Sequence, residues 1–115
     1  MRTVNRSALV VRPMEPFIRW VRSVDPLAEE DGVVAALGQQ VSVYLVAEDP
    51  EGCEESAPIE GYFRRIFENE LEEWFTDRSL WPINRDISTF QKWFDVSAES
   101  VVFDLERSPL NYEDF

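Results

Sequence analysis

The chain has 115 residues, of which 44% are apolar, and 23 acidic against 11 basic residues give it a formal net charge of −12. This length predicts a single domain with one core, and the apolar fraction excludes a chain that is disordered by composition. The negative charge repels phosphate backbones and anionic lipid, which argues against nucleic acid and membranes as partners.

A cytoplasmic location is expected from the cysteine usage and from the first residues of the chain. Cys53 is the single cysteine, so no internal disulfide is expected. No stretch approaches the ~20 apolar residues of a transmembrane helix. The only unbroken apolar run near the start, residues 8–11, is too short for a signal-peptide core.

The first half of the chain is predicted to contain two strands with a helix between them. Residues 7–12 form a short strand with apolar character on both faces, which suggests an interior position in a sheet. Residues 41–47 form the second strand, where β-branched and aromatic residues alternate between two faces. The helix between them is predicted from an apolar stripe that consists of Phe17, Trp20, Val21 and Val24.

The segment over residues 27–38 is compatible with two structures. One is a short helix over residues 32–37, capped by Asp31 and closed by Gly38 in a left-handed turn. The other is a small extra strand over residues 33–37, and the sequence leaves both open.

The most informative stretch is a long amphipathic helix over residues 59–75, which follows an acidic loop over residues 48–56. Ser56 and Pro58 are residue types that favour a helix start. The apolar stripe of this helix consists of Ile59, Tyr62, Phe63, Ile66, Phe67, Leu71, Trp74 and Phe75.

A shorter helix and a final strand complete the predicted elements. The helix starts at Asp86 or Ser88, and residues 101–105 form the strand. The order β-α-β-α-α-β predicts an α+β fold: a two-layer sandwich in which helices pack on one face of a small, mainly three-stranded mixed sheet. Residues 1–110 are expected to form this single domain, and residues 111–115 a C-terminal tail.

The absent residue types exclude several chemistries. The chain has no histidine, which removes Ser-His-Asp and Cys-His catalysis and imidazole-ligated zinc. Cys53 lies among Glu51, Glu54 and Glu55, whose charges disfavour the thiolate, so it is expected to be a poor nucleophile. The four glycines are isolated, so no phosphate loop or dinucleotide fingerprint is present. No cofactor is expected.

Glu70 is the candidate site residue with the most specific position. It lies four residues after Ile66 in the apolar stripe of the long helix, which predicts a buried carboxylate. The structural interpretation is an ion pair or hydrogen bond, with Arg85 as the favoured partner. The functional interpretation is an acid of raised pKa facing a pocket, where Glu70 with Glu73 or Asp77 would form a carboxylate-based or metal-assisted hydrolase.

The acidic loop is a weak candidate for a metal site. Glu48, Asp49 and Glu51 could offer oxygen ligands to a divalent cation, but their spacing does not match an EF-hand. The principal expectation is that no metal binds there.

Trp81 and its neighbours are candidates for a binding surface. Trp81 either plugs the core beneath its loop or lines a groove for a partner. Arg85, Tyr62 and Glu70 would then contribute to the same surface.

Four short motifs are spread along the chain: residues 5–11 (NRSALVV), residues 66–71 (IFENEL), residues 80–82 (LWP) with Arg85, and residues 93–95 (WFD). Together they resemble a group of short acidic bacterial proteins of unknown function, over the span from Asn5 to Leu110. The resemblance implies a bacterial origin and a stand-alone domain, and it carries no activity with it.

The sequence therefore predicts a non-enzymatic acidic domain that binds or regulates a basic protein, with an inhibitor or immunity-type protein as one subclass. Two alternatives stay open. One is the small hydrolase that uses Glu70, and the other is a structural homodimer that pairs exposed strand edges or aromatic helix faces and binds no ligand.

Overall fold

The computed structural model describes residues 2–27, 32–47 and 57–113. Its elements follow in chain order: β1 (Arg2–Thr3), β2 (Arg6–Pro13), α1 (Glu15–Val24), α2 (Val33–Leu37), β3 (Ser42–Ala47), α3 (Ala57–Glu72), a 3-10 helix (Arg78–Leu80), α4 (Ile87–Trp93), β4 (Phe94–Glu99) and β5 (Phe103–Asp104). The predicted α+β class is confirmed. None of the helices in the described part is long and apolar enough to cross a membrane.

The main sheet has three strands in the order β3-β2-β4. The central strand β2 pairs antiparallel with both neighbours, with Val10 opposite Val43 on one side and Ser97 on the other. The predicted mixed sheet is therefore wrong, because no pair in this sheet is parallel. The connection from β2 to β3 contains α1 and α2 rather than the single crossover helix that would link parallel strands.

The third strand of the main sheet is β4. The prediction that residues 101–105 form this strand is wrong. Within these residues, Phe103–Asp104 forms the two-residue β5, which pairs with β1 in a separate ribbon. Phe94 has extended backbone angles, φ −135° and ψ 139°, so α4 ends at Trp93 and the chain enters β4 directly. Residues 97–99 (SAE) have low intrinsic strand preference, and pairing with β2 overrides it.

The ambiguous segment contains the helix α2, so the alternative strand over residues 33–37 is not formed. Among the described glycines, the left-handed backbone occurs at Gly32, with φ 71°, ahead of the helix rather than at Gly38 behind it. The predicted cap Asp31 lies outside the described residues.

The helices pack on one face of the sheet, which we call the inner face. There, Leu9 and Val11 of β2 are fully buried beneath α1 and α3 residues of the same cluster. The centre of the core is aromatic, with neighbouring rings 4.9–6.2 Å apart in tilted or edge-on arrangements, and its rings are Phe17, Trp20, Phe63, Phe67, Phe75, Phe90, Trp93 and Phe94. The predicted apolar stripe of the long helix thus faces the core, with three of its residues buried and five partly buried, although the helix ends at Glu72 rather than at Phe75.

The opposite side of the sheet, which we call the outer face, carries no helix among the described elements. Val41, Val43 and Leu45 lie on this face at or beside β3, and they are 44–61% exposed. Ala8 and Val10 belong to the central strand and are less exposed, since β2 is flanked on both sides. The domain therefore has one covered sheet face and one that is largely bare.

Candidate functional site

Glu70 is buried, as its position in the apolar stripe predicted, and only 6% of its surface is exposed. It projects from α3 toward the start of β3, where two hydroxyl groups meet it. Tyr44 donates a hydrogen bond to Glu70 Oε2 at 3.0 Å, and Ser42 donates to the same oxygen at 3.2 Å. Asn69, next along the helix, donates to the Tyr44 hydroxyl at 3.0 Å. We call these four residues the hydroxyl–carboxylate cluster.

The predicted partner of Glu70 is wrong. Arg85 donates to the carbonyl oxygen of Pro82 at 2.8 Å and lies over the ring of Trp81, 5.6 Å from its centroid. The acid is satisfied by neutral hydroxyl donors instead. Such donors offset part of the cost of burying the carboxylate and add no second charge to the core.

The protonation of the cluster follows from its burial. Burial raises the pKa of Glu70, the hydrogen bonds from Tyr44 and Ser42 oppose the rise, and the nearby charge of Glu73 adds to it. Burial also raises the pKa of Tyr44, and the negative charge of Glu70 acts in the same direction. Tyr44 is therefore a neutral donor at physiological pH, and it is poorly suited to act as a base or nucleophile.

A small cavity lies beside Glu70 among the described residues. Glu70 and Glu73 line one cavity with Gln40 and Trp74, and its volume of about 10 Å³ corresponds to a single water molecule. Gln40 donates to Glu73 Oε2 at 3.4 Å across this cavity. Within the described residues, the two neighbouring carboxylates of the hydrolase alternative thus share only a cavity of about one water molecule.

Asp77 does not join these carboxylates. It caps the 3-10 helix, where its carboxylate accepts hydrogen bonds from the backbone amide of Ser79 at 3.0 Å and from the Ser79 hydroxyl at 2.7 Å. These hydrogen bonds lower the pKa of Asp77. Its role in the structure is that of a helix cap.

Trp81 is buried and fits the first of its two predicted roles, a plug of the core. Its indole N–H donates to the carbonyl oxygen of Phe75 at 2.8 Å, which fixes the loop after α3. The guanidinium groups of Arg78 and Arg85 lie 5.0 and 5.6 Å from the ring centroid. These two cations from the loop cover the ring, so it does not line an open groove.

Tyr62 lies in a groove between β3 and α3, which we call the edge groove. The groove has a volume of about 430 Å³, and it is lined by Tyr44, Leu45, Val46, Ala47, Tyr62, Arg65, Ile66 and Asn69. The guanidinium carbon of Arg65 lies 5.9 Å from the centroid of the Tyr62 ring. Of the predicted binding residues, Tyr62 and Glu70 therefore lie on either side of Tyr44, whereas Trp81 and Arg85 form a separate pair.

The weak metal candidates, Glu48, Asp49 and Glu51, lie outside the described residues. Within the described ranges, no group of three or more histidine, cysteine, aspartate or glutamate side chains is arranged to hold a metal ion.

The sequence analysis did not identify Ser42, Tyr44 or Asn69 as parts of a site. One signal was available: Ser42 and Tyr44 alternate with Val41, Val43 and Leu45, so the two hydroxyl groups of β3 lie on one face. In comparisons with known proteins, no family model, no curated protein and no solved structure matches the chain.

Proposed function

We propose that this chain is a non-enzymatic protein-binding domain whose partner packs on the outer face of the sheet. The observation that carries the proposal is the orientation of β3. Its core-facing side carries Ser42 and Tyr44 beside the buried Val46, whereas the aliphatic Val43 and Leu45 face out. A sheet covered on one face normally buries its more apolar side, and a bare apolar patch is typical of an interaction surface.

The distribution of charge favours a basic partner. The chain has 23 acidic and 11 basic residues, a formal net charge of −12. Val41, Val43 and Leu45 form an exposed apolar patch on the outer face. The segment 48–56, with five acids, follows Ala47 directly at the end of the same strand, β3. Complementary charge accelerates association and selects the partner.

The two alternatives have less support. A hydrolase built on Glu70 would need a substrate pocket, and the cavity there holds about one water molecule. A homodimer would bring together two chains with a net charge of −12 each, which opposes association at low salt.

The proposal is tested by comparing two lysine substitutions at exposed aliphatic residues. Val43→Lys places a charge in the apolar patch, whereas Ile83→Lys makes the same chemical change at a fully exposed residue in the loop before α4. Both variants and the unmodified protein are used for affinity capture from an extract of the source cells, at several salt concentrations, with quantitative mass spectrometry. The expected result is a basic protein that is retained by the unmodified chain and by Ile83→Lys, is lost with Val43→Lys, and is released as salt rises.

Two outcomes would overturn the proposal. Capture that is the same for all three proteins would mean that the outer face is not the binding surface. A dimer of the chain that is seen by light scattering and that disappears in Val43→Lys would assign the face to a second copy instead.

A further inference from the structure

The two edges of the main sheet differ in their protection against further strand pairing. One edge strand, β4, carries Asp95 and Glu99. The other edge strand, β3 (Ser42–Ala47), has no charged residue, no proline and no glycine. Among the described residues no strand pairs with the edge of β3 that faces away from β2. Charges and prolines are the usual means by which proteins prevent pairing at an edge strand, and β3 lacks them.

The edge groove runs along this unprotected strand and has α3 as its second wall. The backbone of β3 can offer hydrogen bonds to an added strand, while Tyr62, Arg65 and Ile66 on the helix can select its side chains. An edge strand beside a helix is a recurring arrangement for binding an extended peptide, in which the backbone supplies affinity and the side chains supply specificity.

Arg65 is the one charged residue among the described residues that line the groove. It is exposed and lies at the groove with Asn69 one helical turn further on. Among the described lining residues, Arg65 therefore supplies a single positive charge. An occupant that places a carboxylate opposite Arg65 would complement it.

We propose that the edge groove binds an extended peptide segment, which pairs with β3 as a fourth strand and directs an acidic side chain toward Arg65. This inference goes beyond the proposed function, since it uses the edge of β3 and not the outer face. A second copy of the chain fits the groove less well, because Ser42–Ala47 contains no carboxylate to pair with Arg65. A second copy would also add its own charge of −12.

The test uses two short synthetic peptides of alternating threonine and valine that differ only in one central residue, glutamate or lysine. Binding is followed by chemical-shift changes of Tyr62 and Asn69 and by amide hydrogen exchange in β3. The glutamate peptide should slow the exchange of alternate amides within residues 42–47, since an added strand bonds to every second residue. It should bind the unmodified protein more tightly than the lysine peptide does.

A charge reversal in the groove provides the specific control. Arg65→Glu should weaken binding of the glutamate peptide by about tenfold and make the lysine peptide the tighter ligand. Arg64→Glu makes the same change at an exposed neighbouring position that does not line the groove, and it should leave both affinities unchanged.

Three results would overturn the inference. One is that neither peptide slows exchange in β3 at millimolar concentration. Another is that the preference for glutamate persists in Arg65→Glu. The third is that exchange in β3 slows with protein concentration alone, which would assign the edge to a second copy. The first two results do not bear on the outer face, because the capture experiment depends on Val43 and not on Arg65. The third would also support the homodimer alternative.

Discussion

The two faces of the main sheet are made by the same three strands, but one is buried beneath helices and the other is largely exposed. On the inner face, Leu9 and Val11 lie beneath a cluster of aromatic rings and are fully buried. On the outer face, Val43 and Leu45 are about half exposed although they are as apolar as the residues inside. Hydrophobicity alone therefore does not decide which face of this sheet forms the core. The helices decide it, because α1, α3 and α4 carry the rings and pack on one side.

The largest expected effect is on the covered face. Phe67 is fully buried and its ring contacts those of Phe90, Trp93 and Phe94. Phe67→Ala should lower the free energy of unfolding by about 3–5 kcal/mol, because it leaves a cavity among these rings. Denaturant unfolding measures this, with Phe103→Ala as a control at a half-exposed ring in β5, where the loss should be below about 1 kcal/mol. Equal losses in the two variants would contradict the assignment of the core.

The next effect concerns the two hydroxyl groups of β3, Ser42 and Tyr44, which lie on the covered face. Glu70→Ala removes the acceptor of the Tyr44 and Ser42 hydroxyls and should cost about 1–3 kcal/mol. Glu70→Gln keeps an acceptor oxygen and removes the buried charge, so its stability should stay within about 1 kcal/mol of the unmodified protein at neutral pH. Thermal unfolding of both variants distinguishes the two effects. A melting temperature unchanged by Glu70→Ala would show that the hydrogen bonds do not contribute.

A smaller effect is expected in the pH dependence of the same cluster. Burial raises the pKa of Glu70 in the folded state, so the folded protein binds a proton more readily than the unfolded chain does. The contribution of Glu70 to stability is therefore fully present below the pKa of the unfolded chain and is lost as pH rises through the raised folded value. Between neutral pH and about pH 4.5, acidification should stabilise the unmodified protein relative to Glu70→Gln.

The comparison with Glu70→Gln isolates this group from others that titrate in the same range. Burial raises the pKa of Glu73 as well, whereas hydrogen bonds lower the pKa of the caps Asp77 and Asp86, so the absolute pH profile combines opposite slopes. A stability difference between the two proteins that does not change with pH would contradict a raised pKa at Glu70.

The smallest effect is expected on the bare face. Val43→Thr should change the free energy of unfolding of the isolated chain by no more than about 0.5 kcal/mol, since the side chain is 61% exposed and threonine keeps the strand preference of valine. The measurement is denaturant unfolding at two protein concentrations. A loss that grows with concentration would indicate that Val43 is covered in an assembly of the chain.

The elements with a strong apolar period were predictable from the sequence. The stripes of α1 and α3, the short apolar run of β2 and the alternation in β3 identify the type and the approximate ends of each element. The position of β4 was not predictable in this way, because residues 97–99 have little strand preference and adopt β-structure through pairing with β2.

The candidate site was predictable in part. The burial of Glu70 follows from its place in the helical stripe, but its partners depend on which face of β3 turns inward. The apolar side of β3 would be the natural choice for the core, so the sequence favours the wrong face. β3 is thus an exception to the rule that a strand buries its more apolar side. This exception supports the proposed binding surface, because a strand that exposes its apolar side requires a further explanation.

The central position of β2 has a consequence for how the chain reaches its final structure. This strand precedes all the described helices, yet its second neighbour lies beyond them, at residues 94–99. One edge of β2 therefore stays unpaired until this distant segment, with the buried ring of Phe94, has docked. Contacts between such distant segments slow folding, so we expect the complete sheet to form late in folding.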